Sequence, residues 1–296
     1  MSNFNSLSDP NSMEQANDVA AFKQFEHDGW EQSVAAYDHR FGSLTTQMIM
    51  PLIRELKPTK GEKLLDIATG PGYVAAKGRD CGCIVSAIDI SEAMIARARE
   101  AFPQGIDFRV GDAEALQFGE AAFDVITMNF GMLHLAQPEQ AAREACKALK
   151  PGGRFGFTVW AQPELSKGFA IVLRAIESHG DSAVRLPAGP PFFKYSSREQ
   201  GIGLLTAAGF VSPKAHLTQL TWRLPNADSL FEAFYEGTAR TGGNLRAQPA
   251  ENRERIRRAV RESVARYERA GSLELPMAAW VYVADRSLLQ GAREPI

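Results

Sequence analysis

The stretch Leu64-Leu65-Asp66-Ile67-Ala68-Thr69-Gly70-Pro71-Gly72-Tyr73 limits what this chain can fold into more than any other. An apolar run ends in an acid and a Gly-x-Gly turn, and Tyr73 to Gly78 reads as the opening of a helix. A second apolar run, Ile84 to Ile90, carries Asp89 near its end. Buried strand, glycine turn, helix and a second strand with a terminal acid make the first βαβ unit of a nucleotide-type binding site. Gly70 and Gly72 allow a tight turn and a close approach of backbone to ligand, and the helix start offers free N–H groups. Asp89 is placed to accept hydrogen bonds from the two hydroxyls of a ribose.

Two ligand classes share this geometry. Gly70-x-Gly72-x-x-Ala75 satisfies the dinucleotide fingerprint, whose third position tolerates alanine. Asp66 weighs against a dinucleotide, because a carboxylate beside the glycine turn faces the charge of a pyrophosphate. The same carboxylate suits a ligand with an ammonium group next to a carboxylate. S-adenosylmethionine has both, together with a ribose and an adenine.

Later segments bear on that choice. Asp66-x-Ala68-x-Gly70-x-Gly72 is followed by Asp89-Ile90-Ser91, Gly111-Asp112-Ala113-Glu114, Phe123-Asp124-Val125-Ile126-Thr127-Met128-Asn129-Phe130 and Leu149-Lys150-Pro151-Gly152-Gly153. In content and order they resemble the class I S-adenosylmethionine-dependent methyltransferases, in the UbiE-like or type 11 group, from about Glu62 to Trp160. The resemblance implies S-adenosylmethionine as cofactor and S-adenosylhomocysteine as product. It implies that Asp66, Ala68, Thr69, Gly70 and Gly72 form the glycine loop and that Asp89 and Ile90 meet the ribose. It further implies that Asp112 and Ala113 meet the adenine, and that Asn129 and Phe130 form the floor, Asn129 through its backbone carbonyl. Related enzymes close an aromatic residue of an N-terminal helix over the methionine end, and Trp30-x6-Tyr37-Asp38 resembles that arrangement. Tyr37 is thus a cofactor candidate, with core packing as the alternative. Thr45 and Thr46 are weaker candidates for the cofactor carboxylate.

The chain of 296 residues can bury a full α/β core. A net charge of −2 supplies no electrostatic reason to expect nucleic acid. No apolar run approaches the roughly 18 residues of a membrane span. The polar start, Met1 to Asn17, reads as a frayed tail rather than a signal peptide. Cys81, Cys83 and Cys146 fit neither a disulfide framework nor a zinc site, and a reducing cytoplasm is the simplest compartment.

Strand runs at Leu64–Ala68, Ile84–Ile90, Asp107–Val110, Val125–Asn129 and Arg154–Trp160 alternate with helical runs at Tyr73–Lys77, Ser91–Phe102 and Pro138–Lys150. This pattern predicts an α/β fold, a Rossmann-like, mostly parallel sheet with helices on both faces. The resembling fold has seven strands, the last two antiparallel. The expected division is a flexible tail over 1–17, a helical cap over 18–60 and a cofactor-binding core over 61–160. A lid insertion over 161–196, a return to the core over 197–226, a helical insertion of two helices over 227–271 and a last strand with C-terminal tail over 272–296 complete it. Trp30, Val34, Tyr37 and Phe41 repeat at helical spacing. Leu186 to Phe193 is a stiff apolar loop, since its three prolines oppose a strand. Glu251 to Arg269 is rich in arginine, but Ile256, Val260, Val264 and Tyr267 share one face, so a solvated amphipathic helix with i,i+4 ion pairs is expected.

Methyl transfer from a sulfonium is an in-line displacement that mainly requires alignment in a water-poor site. A base is needed where the acceptor proton is hard to lose. His134, after the fourth strand, is the candidate base; the alternative is a histidine packed on the cofactor. His179, Phe192 and Tyr195 are candidates to touch the acceptor beneath the lid, whereas His27, His39 and His216 read as surface or structural. Asn129-Phe130-Gly131-Met132 lacks both prolines of the nucleobase N-methyltransferase turn, which disfavours that acceptor. The expectation is metal-independent transfer to oxygen or carbon of a small, partly hydrophobic metabolite, without a nucleic-acid or membrane partner and with no signal for oligomeric state. An NAD(P)-dependent oxidoreductase, or a protein of this fold that binds the cofactor without transferring methyl, remain as alternatives.

Overall fold

Runs of β-branched and aromatic residues bounded by glycine and proline become the strands of one mixed sheet. The computed structural model describes residues 10–269 and 271–288. The N-terminal portion holds α1 (Pro10–Arg40), α2 (Gly42–Thr45) and α3 (Ile49–Leu56). Next come β1 (Lys63–Ile67), α4 (Tyr73–Asp80), β2 (Ile84–Asp89), α5 (Glu92–Ala101), β3 (Ile106–Val110), β4 (Phe123–Asn129), α6 (Pro138–Ala148) and β5 (Leu149–Trp160). Beyond them lie α7 (Lys167–His179), α8 (Arg198–Ala207), β6 (Phe210–Leu224), α9 (Asp228–Gly237), α10 (Arg240–Ala247), α11 (Ala250–Val264), β7 (Glu268–Arg269) and β8 (Ser272–Arg286).

The strand order is β3-β2-β1-β4-β5-β8-β6, with β7 paired to β8. Strands β1 to β5 pair in parallel, and β8 runs antiparallel to both β5 and β6. The order reverses between β1 and β4, so the carboxyl ends of these strands open a crevice, the usual ligand position in such sheets.

Several local expectations change. The predicted tail over 1–17 is helical from Pro10 onward, and residues 1–9 lie outside the described residues, as does the C-terminal stretch 289–296. Two helices were expected over 227–271, and three form, because the Thr238-Ala239 and Gln248-Pro249 breaks divide the segment. The sheet also gains β7 as a two-residue eighth strand. The strand expected from Arg154 begins earlier, at Leu149, and takes in Lys150-Pro151-Gly152-Gly153. That segment is a bulge inside β5, where pairing to β4 jumps from Phe123↔Leu149 to Val125↔Arg154. The arginines of α11 chiefly bridge helices: Arg257 and Arg261 pair with Asp228 of α9, and the i,i+4 pair Arg255–Glu251 is the exception. Ile256, Val260 and Val264 are fully buried, as the helical spacing requires.

The core is built on strand alternation. In β5, Phe155 and Phe157 are fully buried, with Phe157 stacked 4.9 Å from the Tyr282 ring of β8. Between them, Gly156 lets α3 approach, since a Cβ there would lie 2.8 Å from a Leu52 methyl. The Tyr282 hydroxyl donates to the carbonyls of Tyr195 and Ser197, which fixes the entry into α8. Phe157→Ala should lower stability by about 3–5 kcal/mol through cavity formation, seen as a reduced denaturant midpoint with unchanged slope.

Candidate active site

The glycine turn is shaped by two different needs. Gly70 has φ +52 with open space where a Cβ would stand, and it lines the cavity. Gly72 has φ +88 and faces the other way, where a Cβ would sit 3.0 Å from Phe108 and 3.2 Å from Ala98. The expectation that Gly72 faces a ligand is therefore corrected: it lets the turn pack tightly on α5 and β3. At the strand ends beside this turn, two non-glycine residues also take left-handed backbone, Ala68 (φ 52) after β1 and Phe130 (φ 58) after β4. Such strain, on the order of 1–3 kcal/mol each, tends to collect at functional sites.

These strand ends form the floor of a cavity of about 1120 Å³, including space open to solvent. Ala68, Gly70, Asp89, Ile90, Asp112, Ala113, Asn129 and Phe130 all line it. Asp89 is nearly buried and accepts hydrogen bonds from the N–H groups of Gly70 (2.8 Å) and Ser91 (3.0 Å). Burial raises its pKa, and the two N–H donors oppose that rise. Each carboxylate oxygen keeps a second acceptor site.

Asp66 and Thr69 belong to a smaller recess that shares Tyr37, Thr45, Ala68, Gly70 and Asn129 with the main cavity. Thr46 lines the same recess. Asp66 accepts from the hydroxyls of Thr69 (2.6 Å) and Thr127 (2.7 Å). Burial pushes its pKa up to about 6, against the pull of those donors. Asn129 spends its side chain on structure. It accepts from the Thr158 hydroxyl (2.6 Å) and donates to the Thr45 carbonyl (3.3 Å).

One face of α1 forms the opposite wall. Lys23, Glu26, Trp30 and Tyr37 line the cavity at spacings of three, four and seven residues. Lys23 bridges Asp112 (2.7 Å) and Glu114 (2.8 Å). Asp112 also accepts from the Glu114 N–H, so one oxygen shapes its own loop. Glu31 takes the Ser91 hydroxyl (2.6 Å) and the Ala93 N–H (3.1 Å) at the start of α5. Tyr37 stacks on Phe41, meets Trp30 edge-on and donates weakly to Thr45 at 3.4 Å. Burial raises its phenol to about 12.

The remaining wall is aromatic: Phe41, Phe130, Trp160, Phe169 and Phe192. His134 lies among these rings, 4.8 Å from Trp30 and 5.8 Å from Phe192 between centroids. Its Nδ1 is 3.0 Å from the Glu26 carboxylate, whose other oxygen takes Nε of Arg240 at 3.1 Å.

Known proteins resemble this chain in sequence and in fold. Residues 65–157 match the family model described as "Methyltransferase domain". The ubiquinone/menaquinone biosynthesis C-methyltransferase UbiE of Methylobacterium nodulans is 40% identical over 113 residues, which cover 35% of this chain and 45% of that one. A demethylmenaquinone methyltransferase of Clavibacter sepedonicus is 33% identical over 128 residues, covering 42% and 52%. Residues 65–157 are a class I S-adenosylmethionine-dependent methyltransferase domain of the UbiE-like group. Its cofactor is S-adenosylmethionine. The chain spans about half the length of the curated relatives it matches. A phosphoethanolamine N-methyltransferase 2 of Haemonchus contortus, in complex with phosphomonomethylethanolamine and S-adenosylhomocysteine, shares the fold. Its TM-score is 0.55 at 18% identity, covering 90% of this chain and 60% of that one.

Around the methyltransferase domain, two acceptor candidates fall away. His179 is exposed at the end of α7, outside the cavity. Tyr195 is buried, but its hydroxyl donates to Glu139 (2.7 Å), so it ties the segment before α8 to α6 instead of meeting a ligand. Phe192 does line the cavity. Sequence reasoning missed Lys23, Glu26 and Arg240. The first two continue the helical spacing of Trp30 and Tyr37 toward the N-terminus, which an apolar stripe alone does not reveal. Arg240 had no sequence signal.

The buried carboxyl of Asp66 has a stability consequence. Its folded pKa of about 6 exceeds the ordinary 3.8, so its full penalty applies above pH 6 and vanishes below pH 4. Asp66→Asn should therefore gain stability relative to the native protein as pH rises from 4 to 7, by about 2–3 kcal/mol at most. Paired denaturation curves across that range test it; a constant difference between the two proteins would contradict it.

Proposed function

We propose that the chain is a metal-independent methyltransferase acting on carbon or oxygen of a small, partly hydrophobic metabolite, and that the acceptor carries a hydroxylated, electron-rich ring. The observation that carries this reading is one cavity joining the buried Asp89 carboxylate to an aromatic wall in which His134 is the histidine. The named relatives act in quinone biosynthesis, which agrees with a ring acceptor. When bound, S-adenosylmethionine supplies a sulfonium-activated methyl group and departs as the neutral thioether S-adenosylhomocysteine.

The chain's residues fit that cofactor. Asp89 has acceptor capacity left for a ribose diol, and Gly70 leaves open space beside the turn. Asp112 and Ala113 line the side assigned to adenine, and Asp66, Thr69 and Tyr37 border the recess assigned to the methionine end. Asn129 and Phe130 form the floor, where the left-handed Phe130 carries the chain off the strand. The rings exclude water and hold the acceptor by its faces. His134 removes the hydroxyl proton as the acceptor atom bonds to carbon, which needs an imidazole free to accept.

Three measurements test this. At about 100 times its dissociation constant, S-adenosylhomocysteine should stabilise the protein by about 2.7 kcal/mol, visible as a raised melting temperature, whereas NAD and NADP should leave it unchanged. Asp89→Ala should weaken cofactor binding by about 1–3 kcal/mol; wild-type affinity in that variant would remove Asp89 from the site. Substituted naphthohydroquinones and phenols supplied with labelled S-adenosylmethionine should yield labelled product. Cofactor binding without transfer to any ring acceptor would refute the acceptor class while leaving the cofactor assignment intact.

A further inference from the structure

Glu26 belongs to no glycine loop or strand end, yet it is 4% exposed and uses both carboxylate oxygens across elements far apart in sequence. Oε2 meets Nδ1 of His134 at 3.0 Å, and Oε1 meets Nε of Arg240 at 3.1 Å. A carboxylate this buried is costly unless paired, and Arg240 is the pairing cation. Arg240 is itself anchored: it donates to the carbonyls of Pro190 (2.8 Å) and Leu133 (3.4 Å) and lies 4.6 Å over the Phe22 ring. It thereby holds both the acid and the backbone just before His134.

We infer that Glu26, paired with Arg240, is a positioning residue that fixes the tautomer of His134, with the proton on Nδ1 and the lone pair of Nε2 free in the cavity. This rests on the proposed role of His134 as base. An ionised carboxylate can only accept, so the nitrogen facing it must carry the proton. The second ring nitrogen is then the acceptor, and the hydrogen bond made by the first decides its state. In water the neutral histidine side chain prefers the opposite form, with the proton on Nε2, where it cannot receive one. The Trp30 and Phe192 rings, both steeply inclined to the imidazole, pack against it without competing for a proton. Glu26 and Trp30 lie one helical turn apart on α1, so a single helix supplies both the polar and the aromatic constraint. The arrangement parallels the role of an acid behind a histidine in hydrolytic triads, where the acid orients the ring and sets its tautomer.

The test reads the tautomer directly. Long-range 15N–1H spectra of the 15N-labelled protein with S-adenosylhomocysteine, at about pH 8.5, distinguish the two forms, and the signals lost in His134→Asn identify this ring. The native protein should show the Nδ1-protonated form. Glu26→Leu should move His134 largely to the Nε2-protonated form, and Glu26→Gln, whose carbonyl can still accept, should fall between the two. With a naphthohydroquinone probe, turnover should drop on the order of 10- to 100-fold in Glu26→Leu and recover in part in Glu26→Gln. Affinity for S-adenosylhomocysteine should stay within about twofold. The nearly isosteric Gln variant carries the comparison if Leu destabilises the fold. A native His134 protonated on Nε2, or a tautomer unmoved in both variants, overturns the inference. Native turnover in His134→Asn with the tautomer shift intact instead supports the positioning and overturns the base role; loss of S-adenosylhomocysteine binding by the native protein overturns the cofactor site itself.

Discussion

The site depends on the backbone leaving β1 and β4 through left-handed residues that are not glycine. Ala68 and Phe130 turn the chain sharply at neighbouring strand ends, and Gly131 packs against Ala68 so closely that a Cβ would lie 2.6 Å from the alanine methyl. That contact leaves no room for a side chain and sets the two turns relative to each other. The sheet supplies the restoring force. Val125, Ile126, Phe155 and Phe157 are fully buried, so the strand ends cannot relax without disturbing the core. The Phe130 N–H donates to the Thr158 hydroxyl, which in turn donates to Asn129, and the bend is thereby tied to β5.

On that floor the long first helix closes the opposite side by polar contacts as much as by apolar ones. Lys23 reaches the loop after β3, Glu26 the turn after β4, Glu31 the start of α5, and Asp38 both Tyr73 and Arg97. Each contact ties α1 to a polar group of the α/β core. Glu31, for example, accepts the Ala93 N–H in the first turn of α5, where helices have orphan donors. The helix is therefore a wall whose position is specified at four points along its length, and the aromatic residues between them are held in register with the cavity.

This division explains what could be read in advance. The strand–turn–helix at Leu64 to Tyr73 was legible because buried parallel strands are continuous apolar runs and because the turn demands glycine. Asp89 was legible for the same reason, at a strand end fixed by period and length. The split of the 227–271 insertion was not, since Thr238-Ala239 is a weak break whose helix ends are set by packing on α1 and α7. His179 and Tyr195 were misplaced because sequence gives a helix end or a loop but not the direction in which a side chain leaves it. Glu26 and Lys23 were missed because inward-facing charges on a helix look solvent-exposed until their partners are known, and those partners lie 108 and 89 residues away.

The electrostatics of the wall narrow the chemistry further. Tyr37, with its phenol raised to about 12 by burial, stays protonated near neutrality and acts as a donor, so it is poorly suited to take a proton from an acceptor. Asp66 is shielded behind two threonine hydroxyls in the smaller recess, and Asp89 already takes two backbone N–H groups. Glu139, a further acid on α6, is committed to Lys194 and Tyr195, and these bonds lower its pKa against the opposing effect of burial. The His134 imidazole instead packs against the rings with its Nδ1 on the Glu26 carboxylate, and its proposed role as base rests on that arrangement. Aromatic walls favour an acceptor whose charge is spread over a ring, because such an anion needs less of the water that the cavity excludes. A carbon acceptor of this kind needs a base only while its hydroxyl is still protonated, which ties the demand on His134 to the acceptor's own acidity.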